Sequence, residues 1–448
     1  MLSPTAILGY GFPPESFLRG LERKPDLIAV DAGSTDPGPY YLGSGKSFVD
    51  RASVKRDLDL ILRAACERGI PFVMGTAGGS GARPHVDWTV EIIREIAREG
   101  GLDFAMGVIS ADVAPEAAAG AVEAGRVEPL GPAPEISAEE ARSASRIVAQ
   151  MGSEPVAAAL DSGCQVVVCG RAYDPVAFAA PAMRAGFDAG LALHMGKILE
   201  CAAIAATPGS GRDCVLGTLR ADHFELEALS PVRRFTRVST AAHTLYEKSD
   251  PYRLPGPGGA LDLSSTRFEK TGGGRVRVSG TRFVPSEIYT VKLEGVRPAG
   301  FRTISIAGVR DPVLIGQINS VLGKVRDEVA RGPGADLEDY ELLFHVYGRD
   351  GVMGELEPFR GSPGHEIGLV IEAIGPTQGA ADAVCGYARS TLLHFGYPGR
   401  VSTAGNLALL YSPSDIPCGE MYRFTIHHLM EVDDPCGPFE MRTEEVGK

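Results

Sequence analysis

Leu27-Ile28-Ala29-Val30-Asp31-Ala32-Gly33-Ser34-Thr35-Asp36-Pro37-Gly38-Pro39 holds the pattern that sets the fold class. A continuous apolar run stops at a carboxylate and opens into small, polar and helix-breaking residues. An unbroken apolar run suits a strand covered on both faces, as in a parallel sheet. The same phrase recurs downstream. Pro71-Phe72-Val73-Met74 leads into Gly75-Thr76-Ala77-Gly78-Gly79-Ser80-Gly81, residues 104–109 into Ser110-Ala111-Asp112, and residues 165–169 into Gly170-Arg171. Ala6-Ile7-Leu8 reads as the first strand. Helical patterns fill the gaps at 54–67 and from Asp87, a plausible cap, to about Glu99; Asp174-Pro175 has the signature of another helix start. Strands alternating with helices predict an α/β fold, a mostly parallel sheet with flanking helices in the N-terminal half.

Past about residue 210 strand-like segments dominate, at 275–278, 289–293 and 301–306, then 342–347 and 367–372, with helices at 312–330 and 380–394. That half reads as α+β. The expected division is a ligand-binding α/β domain over 1–208 and an α+β domain over 209–448.

The chain has 448 residues and a formal charge of -13. An acidic surface repels phosphodiester backbones and anionic lipid, so nucleic acid and membranes are poor partners. No apolar run is long enough to span a bilayer, and the N-terminus lacks the basic region and apolar stretch of a signal peptide. The eight cysteines are scattered without a C-x-x-C pair, which suggests reduced thiols in the cytoplasm.

In open parallel sheets ligands bind beyond the carboxyl ends of the strands. The loops there offer Asp31, Gly33, Ser34, Thr35 and Asp36; then Thr76, Gly78, Gly79, Ser80 and Gly81 with His85 beyond; then Arg171 and Asp174. Glycines admit close backbone approach, hydroxyls add donors, and helix N-termini favour anions. One such loop reads as readily as a tight βα turn; three together point to a ligand site for a small anion. Arg171 suits a bidentate carboxylate grip or a loop-organising pair with Asp174. His85 suits an acid or base, or a helix-start histidine bonded to a carbonyl. Lys197 shares a helical face with Cys201 in the pattern 194–206, where Cys201 reads either as an activated thiol or as a small core residue. His243, Tyr246 and Glu247 also have helical spacing. No zinc-type histidine pair, P-loop, dinucleotide fingerprint or nucleophile elbow is present, so no cofactor is assigned and no metal ligand is proposed.

The strings from Asp31 to Pro39, Gly196 to Cys201 (GKILEC), Ala241 to Glu247 (AAHTLYE) and Tyr289 to Gly295 (YTVKLEG) resemble the acyclic terpene utilisation family. The resemblance extends to Ser412-Pro413-Ser414-Asp415 and Tyr422-Arg423-Phe424. That family takes its name from bacterial breakdown of citronellol-type terpenes through branched acyl-CoA thioesters. Members of this length are accompanied by a small protein of roughly a hundred residues, sometimes fused as a further domain. The resemblance therefore implies a small partner supplied in trans.

Together these readings lead to an enzyme of carboxylate or acyl-CoA catabolism, a lyase or hydratase, and a homo-oligomer. Arg171 and the 78–81 amides would clamp the anion, Thr76, Asp174 and Lys197 would line the site, and His85 with Asp31 or Asp36 would serve as acid and base. Two alternatives stand beside it. One is phosphoryl transfer using Asp31-Ala32-Gly33-Ser34-Thr35, and the other is a non-catalytic binding subunit.

Overall fold

The computed structural model describes residues 1–246, 249–332 and 339–447. The described chain forms two compact units, Met1–Arg297 with Phe424–Lys448, and Pro298–Arg423.

The first unit is built on a ten-stranded sheet. Its centre is parallel, in the order Leu2–Ser3, Ile28–Asp31, Phe72–Gly75, Val166–Cys169, Phe104–Ile109. Antiparallel strands extend both edges: Val215–Leu219, His223–Ala228, Arg275–Ser279 and Arg267–Gly272 on one side, Met441–Val446 on the other. The apolar runs divide their side chains by the period of two. Ile28, Val30, Phe72, Met74, Val166 and Val168 pack with Leu58, Ile61, Val90 and Ile93 of the helices Arg51–Arg68 and Arg83–Gly100. Ala29, Val73, Val167 and Cys169 face the other way, towards Phe178, Ala179, Met195 and Ile198 of Val176–Arg184 and Ala189–Leu199. Each fully buried aliphatic or aromatic side chain in these layers contributes about 1.5–3 kcal/mol.

The second unit is α+β. Phe301 to Val309 pairs antiparallel with Ile367–Gly375, which pairs antiparallel with Glu341–Tyr347. The helices Ile318–Arg331 and Gln378–His394 pack on it through Val321, Val325, Val384 and Ala388.

Several sequence expectations shift. The division at 208/209 does not coincide with the units, because strands from 215 to 279 continue the first sheet through antiparallel pairing. Ala6-Ile7-Leu8 forms a turn, and the strand is Leu2–Ser3. Asp87 lies inside its helix and pairs with Arg442, since Pro84 sets the start at Arg83. The pattern 194–206 breaks after Leu199 and resumes as a single tight turn, Ala202–Ala205. Residues 290–293 and 301–306 belong to one strand, Thr290–Val309, which runs through the exposed Pro298. The helix expected over 312–330 is interrupted at Gln317. Glu247 lies outside the described residues.

Candidate functional site

The loops at the carboxyl ends of the parallel strands converge. The Ala32 amide donates to the Gly75 carbonyl at 3.0 Å, Ala77 to Cys169 at 2.9 Å, and Arg171 to Gly81 at 3.1 Å. Thr76 Oγ1 accepts from the Ala172 amide at 3.2 Å. The glycines make this contact possible by their missing side chain. A Cβ on Gly33 would lie 2.3 Å from the Gly79 carbonyl oxygen, one on Gly81 would lie 2.3 Å from the Arg171 nitrogen, and one on Gly78 would lie 2.6 Å from the His85 carbonyl oxygen. Gly33, Gly78 and Gly81 thus bring backbone against backbone, and the loops do not open into a cradle of amides. Ser80 is fully buried in the same contact.

A chain of buried ionisable groups runs through the contact. Arg171 Nε donates to Glu294 Oε2 at 2.6 Å, and Glu294 Oε1 also receives Thr35 Oγ1 at 2.8 Å and Lys292 at 2.7 Å. Arg171 reaches Asp174 at 3.7 Å; Asp174 binds Lys197 at 2.9 Å; Lys197 binds Glu200 at 3.0 Å. Cys201 Sγ lies 3.1 Å from Glu200 Oε2 and 3.4 Å from the Tyr246 hydroxyl. The Lys197 ammonium also sits 4.9 Å from the Tyr246 ring centre, on which His243 stacks at 4.6 Å.

Burial and charge divide these groups. Burial alone would raise Glu294, yet Arg171 and then Lys292 hold it well below the usual carboxylate range. Burial likewise opposes ionisation of Asp174, but Lys197 and Arg171 keep it low. Asp31 goes the other way. Burial, then the carboxylates of Asp174 and Glu200, push it well above the usual range, and its Oδ1 has no partner. Burial raises the Cys201 thiol, with Glu200 adding to the effect, so the Lys197 ammonium does not activate it.

Two expected roles change with these contacts. Arg171 is 2% exposed and its guanidinium is committed to Glu294, so it organises the loops from within. The Asp174 carboxylate serves Lys197 and does not cap the following helix, Val176–Arg184, whose N-cap position is Pro175 with no side-chain cap. His85 is 1% exposed, with Nε2 3.2 Å from the Lys46 carbonyl oxygen, and burial lowers it to about 4. It matches the reading of a helix-start histidine held by a carbonyl.

A cavity of about 670 Å³ opens beside this chain in the first unit, at Thr35 and Asp36. Pro132, Ala133, Pro134, Ile136, Phe424 and Ile426 give it an apolar wall, while Lys292, Arg297 and His427 give it cations or proton carriers. Glu135, Glu140 and Glu294 add carboxylates. Burial, then Lys292, lowers His427 below the ordinary imidazole range, so its ring is neutral near pH 7. His428 also lines the cavity; it is buried, accepts at Nδ1 from the His427 amide at 3.0 Å and lies with Nε2 3.0 Å from the Pro134 carbonyl oxygen. Thr35 and Asp36 are the expected site residues that line this cavity; Arg171, Lys197 and His85 are not among its lining residues.

The fold is α/β, and a cavity of about 670 Å³ lies at Thr35 and Asp36, just past the end of the strand Ile28–Asp31. Residues 51–210 match the sequence model of AtuA, the acyclic terpene utilisation family protein, and over that stretch the chain is AtuA-like. No curated protein and no solved structure matches the chain. Among the described residues no helix is long and apolar enough to cross a membrane.

Proposed function

We propose that the protein is a cytoplasmic enzyme of small-molecule carboxylate or acyl-CoA catabolism, of the lyase or hydratase type. One observation carries this reading: the cavity at Thr35 and Asp36 sets Lys292 and Arg297 beside an apolar wall of prolines, Ile136, Ile426 and Phe424. An amphipathic anion, with an acyl body and a carboxylate or thioester-linked head, matches that division, and the volume is within the range of small-ligand sites. Arg297 and Lys292 bind the anionic head. His427, neutral near pH 7, takes the proton beside the carbonyl and passes it to the departing hydroxyl, so that water leaves, while the Asp36 carboxylate accepts a hydrogen bond from that hydroxyl. Asp31, Arg171 and Lys197 hold the rim in shape from inside the sheet. A small partner in trans and self-association complete the proposal.

The test compares the purified chain with and without a co-expressed small partner, on 3-hydroxy acids and on 3-hydroxyacyl-CoA and enoyl-CoA esters. Hydration or dehydration of at least one ester supports the reading. No turnover and no binding in either preparation removes it. Binding without turnover in both leaves the binding-subunit alternative.

A further inference from the structure

We propose that Glu200, Cys201 and His243 form a binding site for a single zinc-class divalent cation. A carboxylate oxygen of Glu200, the Cys201 sulfur and an imidazole nitrogen of His243 all lie within 4.8 Å of one another. Two separate helices bring them together. Asp188 caps Ala189–Leu199, which delivers Glu200 at its end and Cys201 at the bend before Ala202, where φ is 46°. Thr236 and Ser239 form a reciprocal cap for Arg237–Leu245, which delivers His243.

The ligand chemistry selects the ion. A thiolate disfavours magnesium and calcium, while sulfur, nitrogen and oxygen together suit tetrahedral zinc. Three protein ligands leave a fourth position for a solvent or ligand oxygen, the pattern of reactive zinc sites. The Tyr246 hydroxyl, 3.4 Å from Cys201 Sγ and 3.3 Å from Glu200 Oε1, is placed to hydrogen-bond that oxygen. Lys197 holds Glu200 Oε1 at 3.0 Å, which leaves Oε2 turned towards Cys201. Carboxylates bound in this way orient better as ligands. Cys201 and Tyr246 are half-buried, which provides an entry path. Binding replaces the thiol proton with the metal and releases that proton to solvent. The site is independent of the cavity reading, since none of its three ligands lines the cavity.

The experiment is metal analysis of zinc-equilibrated, desalted protein, followed by cobalt(II) titration of the chelator-treated protein. The expected result is about one zinc per chain, and a near-ultraviolet thiolate-to-cobalt charge-transfer band that saturates at about one equivalent. Cys201→Ser abolishes the band and His243→Ala weakens cobalt binding about tenfold or more. Cys66→Ser and Arg297→Ala keep both properties, so failure of the cavity reading is separately visible. Should Cys201→Ser not fold, zinc protection of Cys201 in the wild type against maleimide, mapped by mass spectrometry, replaces it. Wild-type protein with no retained zinc and no band overturns the site. So does an intact band in folded Cys201→Ser, or equal maleimide labelling with and without zinc.

Discussion

Arg171 Nε donates to Glu294 Oε2 at 2.6 Å, between two side chains that are 3% and 4% exposed. The partners stand 123 residues apart, one just after a central parallel strand and the other on Thr290–Val309. Removing one member of such a buried pair leaves the other charge unbalanced, which costs more than the pair contributes. Glu294→Gln is therefore expected to lose about 3–5 kcal/mol of stability. Urea unfolding followed by far-ultraviolet circular dichroism measures it; a midpoint equal to wild type would show that Arg171 finds another partner.

Gly81 holds the loop contact at a second point. Its φ of +69° and the 2.3 Å approach of a Cβ to the Arg171 nitrogen leave no room for a side chain. Gly81→Ala should cost about 2 kcal/mol or more, through strain and displacement of the Arg171 backbone. Gly125→Ala, where a Cβ meets nothing within 4 Å at a similar φ of +69°, isolates the backbone part. Equal losses in the two variants would mean that the loop contact yields freely.

His85 gives stability a pH dependence of known sign. Burial holds the folded ring down to about 4, whereas an unfolded histidine titrates at about 6.5. The unfolded chain takes up the proton first. The contribution of His85 is thus complete above about 6.5 and is lost as pH falls towards 4, reaching about 3 kcal/mol. His85→Gln, which keeps a donor for Lys46 but cannot ionise, should flatten this part of the profile. The check is the urea midpoint of both proteins across that window; parallel profiles would contradict it.

The parallel core was legible because Leu27-Ile28-Ala29-Val30 and its relatives are apolar on both faces and stop at turn residues. The meeting of Asp31, Gly79 and Arg171 on one rim was legible too, since strand ends of a parallel sheet share an edge. The meaning of the glycines was not, because a loop that admits a ligand and one that admits another loop use the same residues. Lys292 and Glu294 were also hidden. They alternate with the buried Val291 and Leu293, which by the period of two reads as an exposed face. Thr35 and Arg171, distant in sequence, meet Glu294 on that face. The extension of the sheet past residue 208 was missed because antiparallel pairing carries no local sign of which sheet receives it.

The proposed cavity at Asp36 binds an amphipathic anion through Arg297. Arg297 is exposed, so its substitution should leave stability within about 0.5 kcal/mol of wild type. The most direct measurement is calorimetric titration of wild type and Arg297→Ala with a branched 3-hydroxyacyl-CoA ester and with the matching free acid. The expected result is saturable binding of at least one of them by wild type, weakened about tenfold or more in the variant at an unchanged unfolding midpoint. Equal affinity in the two proteins, or no binding of either compound by wild type, would contradict it.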